Sequence, residues 1–136
     1  MRAIYILAAS ILLANGAAAA VADPVQLYQL ESDKRPVENG KVLDMQFREV
    51  ERADGASTVE VIRTSGGSVS SSIFVLRGMC GLARARSASF FRAVPLSSTP
   101  MRLRVEFLET ATDAQLRPVN PKEKVFSEPE CRMLGF

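Results

Sequence analysis

The chain contains no histidine and no tryptophan, and only two of its 136 residues are cysteines. The absence of histidine excludes a histidine-based catalytic triad, a Cys-His pair and most zinc sites, because each of them needs an imidazole. Neither cysteine has the close partner of a Cys-x-x-Cys redox pair. With no catalytic or cofactor motif elsewhere, we expect a protein that is not an enzyme and holds neither metal nor cofactor.

The chain also lacks a strong excess of either positive or negative charge. The chain has 17 basic and 15 acidic residues, a formal net charge of +2, so electrostatics give no reason to expect nucleic acid as a partner. A hydrolase that uses carboxylates alone is a minor alternative, since Glu49 and Glu51 are expected on one face of a strand and Glu106 lies close to Glu109. Interspersed arginines favour solvated faces instead: Arg48, Arg52, Arg102 and Arg104.

The first 22 residues have the layout of a secretory signal peptide: a positive start, an apolar run at 3–14 and a small-residue tail. Cleavage is expected between Ala22 and Asp23, which leaves one exported globular domain at 23–136. The apolar run is shorter than the roughly 20 residues of a membrane-spanning helix. We therefore expect a soluble periplasmic or secreted protein with no stable membrane insertion after the signal is removed.

Cys80 and Cys131 remain in the exported domain, where an oxidising compartment favours a disulfide between them. The alternative is that Cys80 is a small core residue and Cys131 a free thiol. In either case the expected role is structural.

Several segments alternate apolar and polar residues as strands do. The clearest is 101–109, and 41–64 is typical of a hairpin with its turn at Asp54-Gly55. In the strand at 90–96, Pro95 indicates an edge or an end rather than the centre of a ladder. Shorter strands are possible at 23–30 and 123–126.

A helix is predicted at about 68–87, where apolar residues recur at steps of three and four. The expected buried stripe is Val69, Ile73, Leu76, Cys80 and Ala83. Ser68 is a plausible N-cap, and the preceding Gly66-Gly67 is interpreted as a plain helix start rather than a phosphate loop. Gly78 and Gly81 either weaken the helix or permit close packing on a sheet.

These elements predict an α+β fold, an antiparallel sheet of about four to five strands with one amphipathic helix on one face. An all-β sandwich is the alternative. Arg77 and Arg84 are seven residues apart and share one helix face, which is either a solvated face or a possible contact for a partner.

The segment 73–86, IFVLRGMCGLARAR, followed by Phe90-Phe91, resembles small exported proteins of proteobacteria whose function is uncharacterised. In that group a small-residue helix, often carrying Cys, runs into an aromatic strand start. The resemblance implies an α+β envelope protein and supplies no catalytic residues.

The sequence therefore favours a protein-binding module, such as an inhibitor, an immunity protein or a partner of another envelope or secreted protein. A carrier of a small apolar ligand is the alternative, and it predicts a cavity lined by residues such as Phe47, Ile73 and Phe107. The oligomeric state has no signature in the sequence.

Overall fold

The computed structural model describes residues 24–136, so the predicted signal peptide and its cleavage site between Ala22 and Asp23 lie outside the described residues. The elements follow the predicted alternation closely. Their bounds are β1 (Gln29–Glu31), β2 (Asp44–Ala53), β3 (Ala56–Ser65), α1 (Ser68–Ala85), β4 (Phe90–Ser98), β5 (Met101–Leu108), α2 (Asp113–Leu116), β6 (Phe126–Ser127) and α3 (Glu128–Met133).

All neighbouring strands pair antiparallel in one sheet with the order β1-β2-β3-β5-β4-β6. The sheet curls as a half-barrel, and α1 shares one hydrophobic core with its inner face. The predicted α+β class is confirmed against the all-β alternative, but the predicted four to five strands are too few. Six are present because both of the short strands named as possible join the sheet, as β1 with three residues and β6 with two.

A β-bulge in β2 overturns the expectation that Glu49 and Glu51 share a face. The register shifts between these two residues: Glu49 pairs with Val59 on the inner face, whereas Glu51 pairs with Thr58 on the outer one. The extra residue also returns Arg52 to the inner side. Strict alternation would place Arg52 and Glu49 on opposite faces of the strand, and the bulge puts them on the same face.

Pro95 lies at a sheet edge, as the sequence predicted. β6 pairs with β4 only through Phe90 and Phe91, so the rest of β4 has β5 on one side alone. Pro95 has no N–H to offer a further strand, and the register shifts again between Pro95 and Ser97. This edge is therefore protected against pairing with another strand.

Helix α1 confirms the predicted helix, but its buried face is turned relative to the predicted stripe. Cys80 and Ala83 are buried as expected, whereas Val69 is 63% exposed and Ile73 is 47% exposed. The buried face runs instead through Ser71, Phe74, Gly78, Met79 and Leu82. Apolar side chains occur on several sides of this helix, so periodicity alone does not select the one that meets the sheet.

Glycines set the contact between α1 and the sheet. A Cβ at Gly78 would overlap the ring of Phe47, and one at Gly81 would overlap the hydroxyl of Tyr28. The predicted use of Gly78 and Gly81 in close packing is thus confirmed. Tyr28 in turn contacts Phe47 edge-on, with ring centroids 6.0 Å apart.

The disulfide between Cys80 and Cys131 is present, with Cα atoms 5.9 Å apart. It joins the middle of α1 to α3, and both cysteines are almost fully buried. Arg84 reinforces this link because its guanidinium donates a hydrogen bond to the main-chain oxygen of Phe136. The last residues of the chain are therefore held against α1.

The contact at Gly78 predicts the direction in which Gly78→Ala changes stability, because helix propensity and packing act in opposite directions. Helix propensity alone makes Gly78→Ala stabilising by about 1 kcal/mol. Because the new methyl group meets the fully buried Phe47 ring, we expect a loss of about 1–3 kcal/mol instead, measured by urea unfolding. Ser72→Ala, on the exposed side of the same helix, is the control and should change stability by less than about 0.5 kcal/mol. Stabilisation by Gly78→Ala would contradict the packing described above.

Loss of the disulfide should lower stability mainly by freeing the unfolded chain. For the sequence separation of 51 residues, chain entropy gives about 4 kcal/mol, so the double variant Cys80→Ala, Cys131→Ala should unfold at markedly lower urea. Labelling with a thiol reagent in denaturant, without reductant, provides the check, because unfolding exposes both buried cysteines. Labelling of both cysteines under these conditions would show that the bond does not form.

Candidate functional site

A buried carboxylate lies at the centre of the main polar cluster. Glu49 is 2% exposed and accepts hydrogen bonds from the main-chain N–H of Tyr28 at 3.0 Å and from the hydroxyl of Ser57. Arg52 adds a two-pronged contact, with Nε and Nη2 at 3.0 and 2.6 Å from the two carboxylate oxygens. Both oxygens of Glu49 are thus fully engaged.

Arg86, the C-cap of α1, extends this cluster. Its Nη1 lies 3.9 Å from a carboxylate oxygen of Glu49 and donates to the Ser57 hydroxyl at 2.9 Å. Its Nη2 donates to the carbonyl oxygen of Ala53 at 2.8 Å, and the guanidinium lies 5.0 Å from the centre of the Phe107 ring. The end of α1 is therefore tied to the turn between β2 and β3.

The environment of Glu49 determines its charge. Burial raises the pKa of this carboxyl, but the hydrogen bonds from Arg52, Ser57 and the Tyr28 N–H outweigh burial and lower the pKa below its ordinary value. Glu49 is consequently an ionised, saturated carboxylate at neutral pH, without the proton that a general acid must supply. Glu51 lies on the opposite face, so the structure does not bring these two carboxylates together.

The N-terminus of α1 is capped by a residue from far away in the sequence. The carboxylate of Glu38 accepts hydrogen bonds from the main-chain N–H of Ser70 at 2.9 Å and from its hydroxyl at 3.1 Å. These bonds, the main-chain one foremost, lower the pKa of Glu38. The N-cap is Gly67 and not Ser68 as predicted, since Ser68 is already the first helical residue. A Cβ at position 67 would overlap the Glu38 side chain, so glycine there leaves room for this cap. The chain thus fills its own helix-terminal anion position.

A cleft of about 260 Å³ opens between the first half of α1 and the segment 31–38. We call it the α1 cleft. Its apolar lining includes Val37, Leu43, Val69, Ile73, Phe74 and Phe136. The outward turn of Val69 and Ile73 noted above places both side chains, one helical turn apart, in this cleft.

The two arginines predicted as a possible partner contact have different surroundings. Arg84 bonds to the main-chain oxygen of Phe136 and lies 3.9 Å from Glu128, so it holds the chain itself. Arg77 lines the α1 cleft and has no ion-pair or hydrogen-bond partner within residues 24–136. Both arginines act on Tyr28. Burial raises the pKa of the Tyr28 hydroxyl, and the two guanidinium charges lower it by less, so the pKa lies above its ordinary value. The possible contact role is therefore better suited to Arg77.

The ligand cavity expected between Phe47, Ile73 and Phe107 does not exist as one space. Phe47 is fully buried, Ile73 lines the α1 cleft, and Phe107 borders a separate depression beside Arg86. The region beneath the helix is filled because Gly78 lets the Phe47 ring approach α1 directly. This cavity prediction is wrong.

Two residues of the site carry no recognisable sequence signal. Glu38 lies in a turn-rich segment, and nothing in its neighbourhood indicates a helix 32 residues later. Phe136 is one of seven phenylalanines, and only the disulfide prediction hints that it lies near α1. Both could have been found only from the tertiary arrangement.

Comparison with family models, curated proteins and solved structures finds no match for this chain. Within residues 24–136, no helix is long and apolar enough to cross a membrane. The described part of the chain is thus a disulfide-bonded α+β domain with an exposed cleft beside α1, and the lining of this cleft is partly apolar and partly charged.

The Glu49 cluster yields a prediction with a pH signature. Glu49→Gln removes the charge that neutralises the cluster, so stability at pH 7 should fall by about 3 kcal/mol. A lowered folded-state pKa contributes stability that is present above the unfolded value, about 4.3, and is lost as pH falls through the folded value. Urea unfolding is measured from pH 7 down to pH 3. The difference in free energy of unfolding between wild type and Glu49→Gln should become smaller below about pH 4.3.

Glu51→Gln is the matched control, since Glu51 is exposed on the outer face. Its stability should stay within about 0.5 kcal/mol of wild type across the same range. Equal effects of the two variants would show that Glu49 does not act as a buried, paired charge.

Proposed function

We propose that this chain is an exported domain that binds another protein through the α1 cleft. The observation that carries the proposal is the exposure of Val69 and Ile73 beside the apolar lining of a concave surface. Single exposed apolar residues are ordinary on protein surfaces. Contiguous apolar groups around a cleft are typical of sites that a partner covers.

The size of the cleft favours a protein partner over a small-molecule cargo. Ligand pockets usually enclose about 300–1,000 Å³ and surround most of the ligand. The α1 cleft offers about 260 Å³, which suits one anchoring side chain of a larger partner. The depression beside Arg86 is larger, about 440 Å³, but its lining is mainly polar and does not suit an apolar ligand. The carrier hypothesis therefore has less support, and the saturated Glu49 cluster gives no support to a carboxylate-only hydrolase.

The walls of the cleft are held in place before any partner arrives. On one side Glu38 fixes the segment 31–38 to the start of α1. On the other side the disulfide and Arg84 hold Phe136 against the helix. Preorganised walls reduce the ordering cost of binding, which suits an inhibitor, an immunity protein or an envelope partner.

The proposed binding takes place outside the cytoplasm. The predicted signal peptide and the disulfide both fit an oxidising compartment outside the cytoplasm. We therefore place the binding event in the periplasm or the extracellular medium, with a partner that is itself an envelope or secreted protein.

Capture with a surface variant tests this assignment. The exported form, residues 23–136, is used to retain partners from the envelope extract of the source organism, followed by cross-linking and mass spectrometry. We expect wild type to retain one protein stoichiometrically and Ile73→Glu to lose it, because the new charge enters the apolar cleft.

Val50→Glu is the matched control, since Val50 is also β-branched and similarly exposed, at 42% against 47% for Ile73, but lies on β2 away from the cleft. It should retain the partner as wild type does. If the Ile73→Glu variant retains the partner as well as wild type does, the α1 cleft is not the binding site. Capture of nothing specific would favour the small-ligand hypothesis, and native mass spectrometry would then look for a bound molecule.

A further inference from the structure

We infer that the partner presents an acidic side chain next to the apolar group that enters the α1 cleft, and that Arg77 binds this carboxylate. The inference rests on the proposed function and goes further by naming the chemistry of the segment that is bound. Its basis is the distribution of charge around the cleft.

Most charged groups that line the cleft are engaged within the chain. Asp33 lies 3.7 Å from Arg35, and Glu38 caps α1 through Ser70. Glu31 has no cation beside it and lies 3.5 Å from the uncharged side-chain amide of Gln46. Arg77 is the one cation of this lining that has neither an ion-pair partner nor a hydrogen-bond acceptor within residues 24–136.

Arg77 also continues the apolar row that a partner has to cover. Val69, Ile73 and Arg77 are spaced four residues apart, so they lie along one side of α1 with about 6 Å between neighbouring Cβ atoms. A segment that covers Val69 and Ile73 necessarily reaches the guanidinium. A partner without a counter-charge would desolvate Arg77 uncompensated, whereas a carboxylate there is bound by up to two parallel hydrogen bonds.

We commit to an Asp or Glu side chain of a partner protein as the source of this carboxylate. Arg77 is the last member of the row, so a chain end at this point would cover Val69 and Ile73 as well. A folded partner has one terminal carboxylate per chain but many surface Asp and Glu side chains, and the experiment below separates the two sources.

A peptide selection tests the inference with a defined probe. Random 12-residue peptides, displayed at the N-terminus of a phage coat protein and so without a free carboxyl end, are selected against the exported form of the protein. We expect enrichment of an apolar residue with Asp or Glu at a fixed spacing, and about tenfold weaker binding of those peptides to Arg77→Glu. Selection against Arg77→Glu itself should enrich Lys or Arg at the same spacing.

Arg104→Glu is the control, because Arg104 is exposed, lies on the outer sheet face and also has no ion pair within residues 24–136. It should bind the wild-type peptides unchanged. An enriched apolar anchor that is lost with Ile73→Glu but shows no acidic preference would overturn the inference and leave the proposed function standing. No enrichment from this library, followed by enrichment from a second library that displays free carboxyl ends, would overturn the inference alone. No enrichment from either library, or enrichment that Ile73→Glu does not change, would overturn both the inference and the proposed function.

Discussion

The carboxylate of Glu49 is the constraint on which the other features of the fold depend. Removing a charged carboxylate from water costs several kcal/mol unless well-placed donors replace the lost hydration. Here the donors come from separate parts of the chain: the segment before β1, the bulged end of β2 and the start of β3. Glu49 is satisfied only when all three are in place, so the bulge that returns Arg52 inward is a condition of burial and not a local irregularity.

The same cluster fixes α1, and the position of α1 produces the cleft. Arg86 ties the end of the helix to the β2–β3 turn, while Glu38 caps its beginning. Between these two points the Phe47 ring packs directly against Gly78, where a larger residue would not fit. This contact determines which side of the helix meets the sheet. Val69 and Ile73 are turned outward as a consequence. The exposed apolar row is thus a result of how the core is packed.

Local patterns in the sequence predicted the elements but not their relative rotation. Alternation located β2, β3 and β5, the glycine pair and the change of period located α1, and export predicted the pairing of Cys80 with Cys131. The bulge at Glu49 carries no signal of its own, because one extra residue leaves the composition of a strand unchanged. The buried face of α1 was missed for a related reason: Gly78 has no hydrophobic side chain, yet it packs directly against the Phe47 ring of the sheet.

The contacts that stabilise the domain are therefore separate from the surface that we propose for binding. The core is closed by Phe47, the Glu49 cluster and the disulfide, and none of these contacts uses Val69, Ile73 or Arg77. Polar replacements at Val69 and Ile73 would leave those core contacts intact, since Val69 is 63% and Ile73 47% exposed and neither belongs to the core. A requirement for folding alone gives no reason to place two β-branched apolar residues in one row beside a cleft with an arginine that has no partner in the described part of the chain. Recognition of a partner supplies such a reason, because the row then gains an apolar contact and a counter-charge that the isolated chain does not provide.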